Sequence, residues 1–185
     1  MSALAGCSED PASTTTPTET PSSSSPSLSS STSDPPSDTA IAEQAVAELA
    51  ADYFATLDRL RQNSDRPLKQ LKRVAIGEQL AAQEVFTRRQ RAAANRQTGE
   101  VRVVEAVVQS VNLDGQVPTA QMDICWDVSD VDVVDAKGES IVSPERADRG
   151  WTRYQVTNHH WKEDPSGGWR IASGRDLEKA PCSAA

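Results

Sequence analysis

The chain has 185 residues, with 19 basic and 27 acidic side chains and a formal net charge of −8. That balance argues against a nucleic acid partner, because neutralising phosphates takes clustered Lys and Arg. No apolar run approaches the roughly 18 residues of a membrane-spanning helix, so any membrane attachment is expected through covalent lipid. Leu4-Ala5-Gly6-Cys7 reads as the lipobox that ends a bacterial lipoprotein signal, with Cys7 as the acylated residue. The small residues Ala5 and Gly6 leave the cleaved bond and the thiol accessible, and Leu4 supplies the apolar position. Six residues precede Cys7, fewer than the basic and apolar regions of such a signal require, so more of it is expected upstream of Met1. Residues 1–7 are therefore read as the end of a signal, placing the protein on the extracytoplasmic face of the cell membrane.

Residues 8–37 hold 12 Ser, 6 Thr and 6 Pro, and Leu28 is their only bulky apolar side chain. Such a segment cannot bury enough surface to offset its ordering entropy, and the sequence predicts a disordered stalk. As a coil it would span on the order of 30 Å, and towards 90 Å if its prolines hold it extended. Residues 38–185 are enough for one domain with a single core. If Cys7 is lipidated, Cys125 and Cys182 remain as a pair that an exported location would oxidise; two free thiols are the alternative.

Within 38–185 a helix is predicted from Ser37 or Asp38, either of which can cap it. Ile41, Ala45, Leu49, Tyr53, Leu57 and Leu60 form its apolar stripe. Asn63-Ser64-Asp65 breaks the pattern, and Pro67 starts a short second helix with Leu68 and Leu71 inward, terminated by Gly77. A third helix is predicted over about 78–95, with Leu80, Val85 and Phe86 inward. Beyond Gly99 the period changes to alternation. Val101 to Val111 carries valine on both faces, as in a strand covered on each side. After a turn at Asn112 to Gln116, the clearest strand puts Ala120, Met122, Ile124, Trp126 and Val128 on one face. Gln121, Asp123, Cys125 and Asp127 share the other. Asp130 to Asp135 reads as an edge strand. A long strand from Trp151 to Trp161 and a last strand from Trp169 form a hairpin, and the tail runs out through Pro181 to Cys182.

Helices followed by a mostly antiparallel sheet make an α+β domain. This order, together with Gly77 between helices and Gly168-Trp169-Arg170-Ile171 in the last strand, resembles nuclear transport factor 2-like domains. More closely, the chain resembles actinobacterial lipoproteins that pair a lipobox and a Ser/Thr/Pro stalk with such a domain and place two cysteines similarly to Cys125 and Cys182. The resemblance implies three N-terminal helices packed on a curved sheet, enclosing a cone-shaped pocket. Some members are enzymes, such as ketosteroid isomerase and scytalone dehydratase; others bind ligands or partners.

In such a cone the best polar candidates are Tyr154, Asn158 and His160 on one face of the long strand, met by Tyr53 from the first helix. The alternative is that these are ordinary half-buried polar groups. Trp126 and Trp169 are assigned to the core. His159 and His160, as strand neighbours, point to opposite faces and do not share a metal, so no metal site is expected. No nucleophile elbow or phosphate-binding glycine loop is present, and no cofactor is expected. Lys69, Lys72, Arg73, Arg88, Arg89 and Arg91 make a basic run that faces either anionic headgroups or solvent. The sequence thus favours a non-catalytic, lipid-anchored binding module for an envelope protein or small ligand. A small pocket enzyme of isomerase or dehydratase type is the alternative, and a phage-encoded surface lipoprotein excluding other phages is a third.

Overall fold

The computed structural model describes residues 35–183, so Cys7 and the stalk up to position 34 lie outside the described residues. Helix α1 spans Asp38–Gln62, and Ser37 caps it by accepting the Ala40 amide on Oγ at 3.2 Å. Ala45, Leu49, Tyr53, Leu57 and Leu60 are buried as the stripe requires, and Ala42, Val46, Ala50 and Phe54 widen it. Ile41 is only half-buried. The segment after Pro67 is a 3-10 helix over Leu68–Arg73 rather than an α-helix. It is short because the chain from Ala75 runs beside the last strand, where Ala75 bridges Ile171 in parallel.

Gly77 does not end that helix. It opens α2, Gly77–Ala92, at φ +57°, where the chain swings from the bridge into the helix. The expected inward face of α2 is also corrected: Leu80 is half-buried, but Val85 and Phe86 are 46% and 47% exposed. The buried residues are Gln79 and Thr87. The polar stripe of α2 turns inward because α1 offers it polar partners: the Tyr53 hydroxyl accepts from Gln79, and Arg61 donates to Gln83 at 2.8 Å. The helix stops short of Asn95, at a left-handed Ala94, and the chain continues as β1, Arg96–Thr98, which the sequence did not signal.

Strand β1 pairs antiparallel with β4, Asp132–Val134, in a small sheet of its own. The main sheet has the order β2-β3-β5-β6, all antiparallel, with β2 at Arg102–Asn112, β3 at Thr119–Asp127, β5 at Arg149–Asn158 and β6 at Trp169–Leu177. β2 is therefore an edge strand, half-exposed and interrupted by two register shifts, not a strand covered on both sides. Ala120, Met122 and Ile124 of β3 face the core with Tyr154, Val156, Trp169 and Ile171, under α1. Trp126 packs at its margin.

The other face of β3 is polar but closed: Asp123, Cys125 and Asp127 are each 2% exposed or less. Arg153 binds Asp123 through both carboxylate oxygens at 2.6 and 2.8 Å, and Arg149 binds Asp127 at 2.7 Å. Cys125 and Cys182 form a disulfide with Cα atoms 6.2 Å apart. β6 does not adjoin β3; the tail crosses β5 to reach it, with Lys179 Nζ 3.4 Å from the Trp151 ring centroid. Among the described residues the fold is thus α+β, with two α-helices and a 3-10 helix packed on an antiparallel sheet.

Candidate functional site

The spacing that buries Tyr53 on α1 also sets what it meets. Its ring stands edge-on to Tyr154 of β5, 5.7 Å between centroids, and to Phe54 at 5.3 Å. Burial pushes the Tyr53 hydroxyl pKa up and that of Tyr154 up further, with the neighbouring Tyr53 adding to the latter. Both therefore stay protonated at neutral pH, available as hydrogen-bond donors.

Eight residues beyond Tyr53 on the same helix, Arg61 reaches the same region. Its guanidinium lies 4.8 Å from the Phe86 ring centroid. Nη2 donates to Gln83, while Nε has no partner. Burial pushes its pKa down. Around these groups lies a cavity of about 380 Å³ whose walls are chiefly apolar: Phe54, Leu57, Phe86, Trp126, Val131 and Val133. Its size falls within the range of small-molecule sites, and its polar groups come from α1, α2, β1, β5, β6 and the loop that carries Arg146. Arg146 closes one wall by donating to the carbonyls of Val128 and Val131 at 2.9 and 2.8 Å.

One carboxylate, Asp176 of β6, also lines the cavity, but at its exposed rim. It accepts from the Thr152 hydroxyl at 2.7 Å, which in turn accepts from Trp126 Nε1 at 3.0 Å. The buried carboxylate of α1, Asp58, does not line the cavity. It accepts from Gln97 Nε2 at 2.6 Å and the Val101 amide at 3.0 Å, joining α1 to β1 and the entry to β2. Burial pushes its pKa up. Among the cavity's lining residues there is thus no buried carboxyl to pair with a tyrosine as acid and base.

The four residues singled out from the sequence separate into two groups. Tyr53 and Tyr154 meet in the cavity. Asn158, fully buried, lies outside it at the end of β5, and His160 falls in the exposed turn beyond, because the strand ends before it. His160 and Asn158 meet only through the His160 amide, which donates to Asn158 Oδ1 at 2.8 Å. The sequence reading missed Arg61, Gln79 and Phe86. Arg61 was within reach of it, since positions 53, 57 and 61 share one helical face. Phe86 was assigned to the core. Trp169 is core, as expected, whereas Trp126 splits between core margin and cavity wall. Among the described residues no group of three or more His, Cys, Asp or Glu is placed to hold a metal ion, and no helix is long and apolar enough to cross a membrane.

No family model matches the chain, and no curated protein matches it. Among solved structures it is similar to the intermembrane space region of the chloroplast protein ARC6, with a TM-score of 0.51 and 16% identity over 73% of this chain and 95% of that one. That likeness supports the α+β fold alone. A de novo designed β-sheet protein solved by NMR has a TM-score of 0.31 at 14% identity, over 77% of this chain and 95% of that one.

Proposed function

We propose that the protein is a non-catalytic binding module, anchored by lipid on Cys7 at the extracytoplasmic face of the membrane, whose nuclear transport factor 2-like cone takes up a small and largely apolar ligand. The observation that carries the binding part is the 380 Å³ cavity, lined by Phe54, Leu57, Phe86 and valines around the paired Tyr53 and Tyr154. The stalk and lipobox support the anchored part, and the disulfide fits an oxidising compartment. An isomerase-like reading would draw on Asp176 beside Tyr154. Asp176 is exposed and engaged by Thr152, which favours binding over catalysis.

The pocket is tested with decanol as the apolar probe, read by tryptophan fluorescence, because Trp126 lines the cavity. Saturable binding is expected, and Val133→Trp, which fills the cavity from β4, should abolish it. Absence of binding, or equal binding by that variant, would overturn the pocket reading. The anchor is tested separately by expressing the chain behind a complete lipoprotein signal. The protein should sediment with membranes and Cys7→Ser should release it; identical partitioning of the two would remove the anchor.

A further inference from the structure

The apolar cavity has a polar neighbour. A second cleft, of about 570 Å³, lies between the C-terminal half of α2 and the small sheet of β1 and β4, and Arg61 and Gln90 line both spaces. Arg91, Arg96 and Lys137 join Arg61 along this cleft. Four cations gathered in a protein of net charge −8 run against its overall balance. Asp135 is the one carboxylate among the lining residues, and its Oδ1 already accepts the amides of Lys137 and Glu139 at 2.8 and 3.0 Å. Among the described residues none of the four cations has a carboxylate within 4.0 Å.

Helix ends account for part of this. Arg91 Nη2 donates to the carbonyls of Leu60 and Asn63 at 2.9 and 3.3 Å, closing the last turn of α1. Arg61 has no such task. It is held over Phe86 with one bond to Gln83, its Nε is unpartnered, and no carboxylate lies within 4.0 Å of it, the buried Asp58 of the same helix acting on it only from a greater distance. A guanidinium drawn out of water without a counter-charge is costly, and buried cations are ordinarily paired. Arg91 Nε, the Thr87 hydroxyl and Gln90 Oε1 are also buried without partners, and their residues line the same cleft. The unpaired positive charge thus sits at the junction of an apolar space and a polar one.

We propose that the two spaces together take an anionic amphiphile, its apolar body in the cavity beside Tyr53 and Tyr154 and its carboxylate or phosphate head held by Arg61, in the field of Arg91, Arg96 and Lys137. This inference rests on reading the apolar cavity as a ligand site, and goes beyond it by naming the ligand's charge. An oxyanion at Arg61 supplies the direct ion pair it lacks among the described residues, and a planar guanidinium suits carboxylate and phosphate alike.

The test compares decanoate, decyl phosphate and decanol on the protein at neutral pH, by calorimetry below their micellar range. One charged head recognised by Arg61 should bind about tenfold tighter or more than decanol, and the tighter of the two anions identifies the head as carboxylate or phosphate. Arg61→Gln should erase that preference, read as the ratio of anion to decanol affinity within the variant itself. Equal affinity for decanoate, decyl phosphate and decanol would overturn the charged-head inference and leave the cavity reading standing. Failure of all three to bind would overturn both. Should Arg61→Gln not fold, the exposed pair Arg96→Gln with Lys137→Gln carries the test: a preference weakened several-fold and less salt-dependent supports the proposal, and an unchanged one overturns it.

Discussion

Asn158 shows how a buried polar side chain can serve a loop rather than a ligand. Its Nδ2 donates to the Asp164 carbonyl at 2.9 Å and its Oδ1 accepts from the His160 amide, so both ends of the amide are spent on the β5–β6 connection. Gly168 passes so close that a β-carbon there would overlap Asn158 Oδ1. Asn158→Ala should leave the His160 amide without its partner and the Asp164 carbonyl with only the Gly168 amide at 3.1 Å, and lower stability by about 1–3 kcal/mol. A urea titration should show the reduced midpoint, while decanol affinity stays as in the parent protein. A change in affinity at unchanged stability would instead return Asn158 to the ligand site.

At the scale of elements, the C-terminal tail behaves as a strap. It leaves β6, crosses β5 with Lys179 over Trp151, and is fixed to β3 through the disulfide between residues 57 apart. Its contacts close the polar face of β3, where Lys179 Nζ also lies 3.9 Å from Asp123. Cys182→Ser should free the strap and cost about 2–4 kcal/mol, chiefly by loosening the constraint on the unfolded chain. Thermal unfolding should show the drop, far-UV circular dichroism should stay native, and reductant should lower the parent protein to the same level. Cys125→Ser should cost more, because it also places a hydroxyl at a fully buried position. A Cys182→Ser protein as stable as the parent would show that the strap adds nothing.

Across the whole molecule, two sets of carboxylates pull stability in opposite directions with pH. Arg153 holds the Asp123 pKa down, and the Ser129 hydroxyl and amide with Arg149 hold Asp127 down further. Their stabilisation is present above the unfolded value of about 4 and is lost as pH falls through their lower folded values. Asp58 is raised by burial, so its contribution is present below the unfolded value and is lost as pH rises through its folded one. Stability should therefore rise as pH falls from neutral through the Asp58 transition, then decline below about pH 4. Asp123→Asn should lessen the decline, and Asp58→Asn should flatten the rise. A monotonic profile from neutral downward in the parent protein would contradict the assignment.

Local pattern was sufficient where one face of an element decides its place. The start of α1 at Ser37 or Asp38, its stripe with Tyr53 and the alternation of β3 were readable because each depends on neighbours in sequence, and Cys125 with Cys182 was one of two readings of the cysteines. The pattern misled in α2, where Gln79 and Thr87 turn inward and Val85 and Phe86 turn out. Hydrophobic periodicity cannot anticipate a polar stripe that finds its partners on another helix. Nor did it signal β1, whose Gln97 side chain is held by Asp58, 39 residues away. The closed polar face of β3 depends on Arg153, Arg149 and a tail arriving from the far end of the chain. The sequence by itself determined the α+β class and the apolar faces of α1 and β3. The tertiary structure decided which polar groups are buried with partners, and left Arg61 half-buried without a direct ion pair, because burial of charge is settled by residues far apart in sequence.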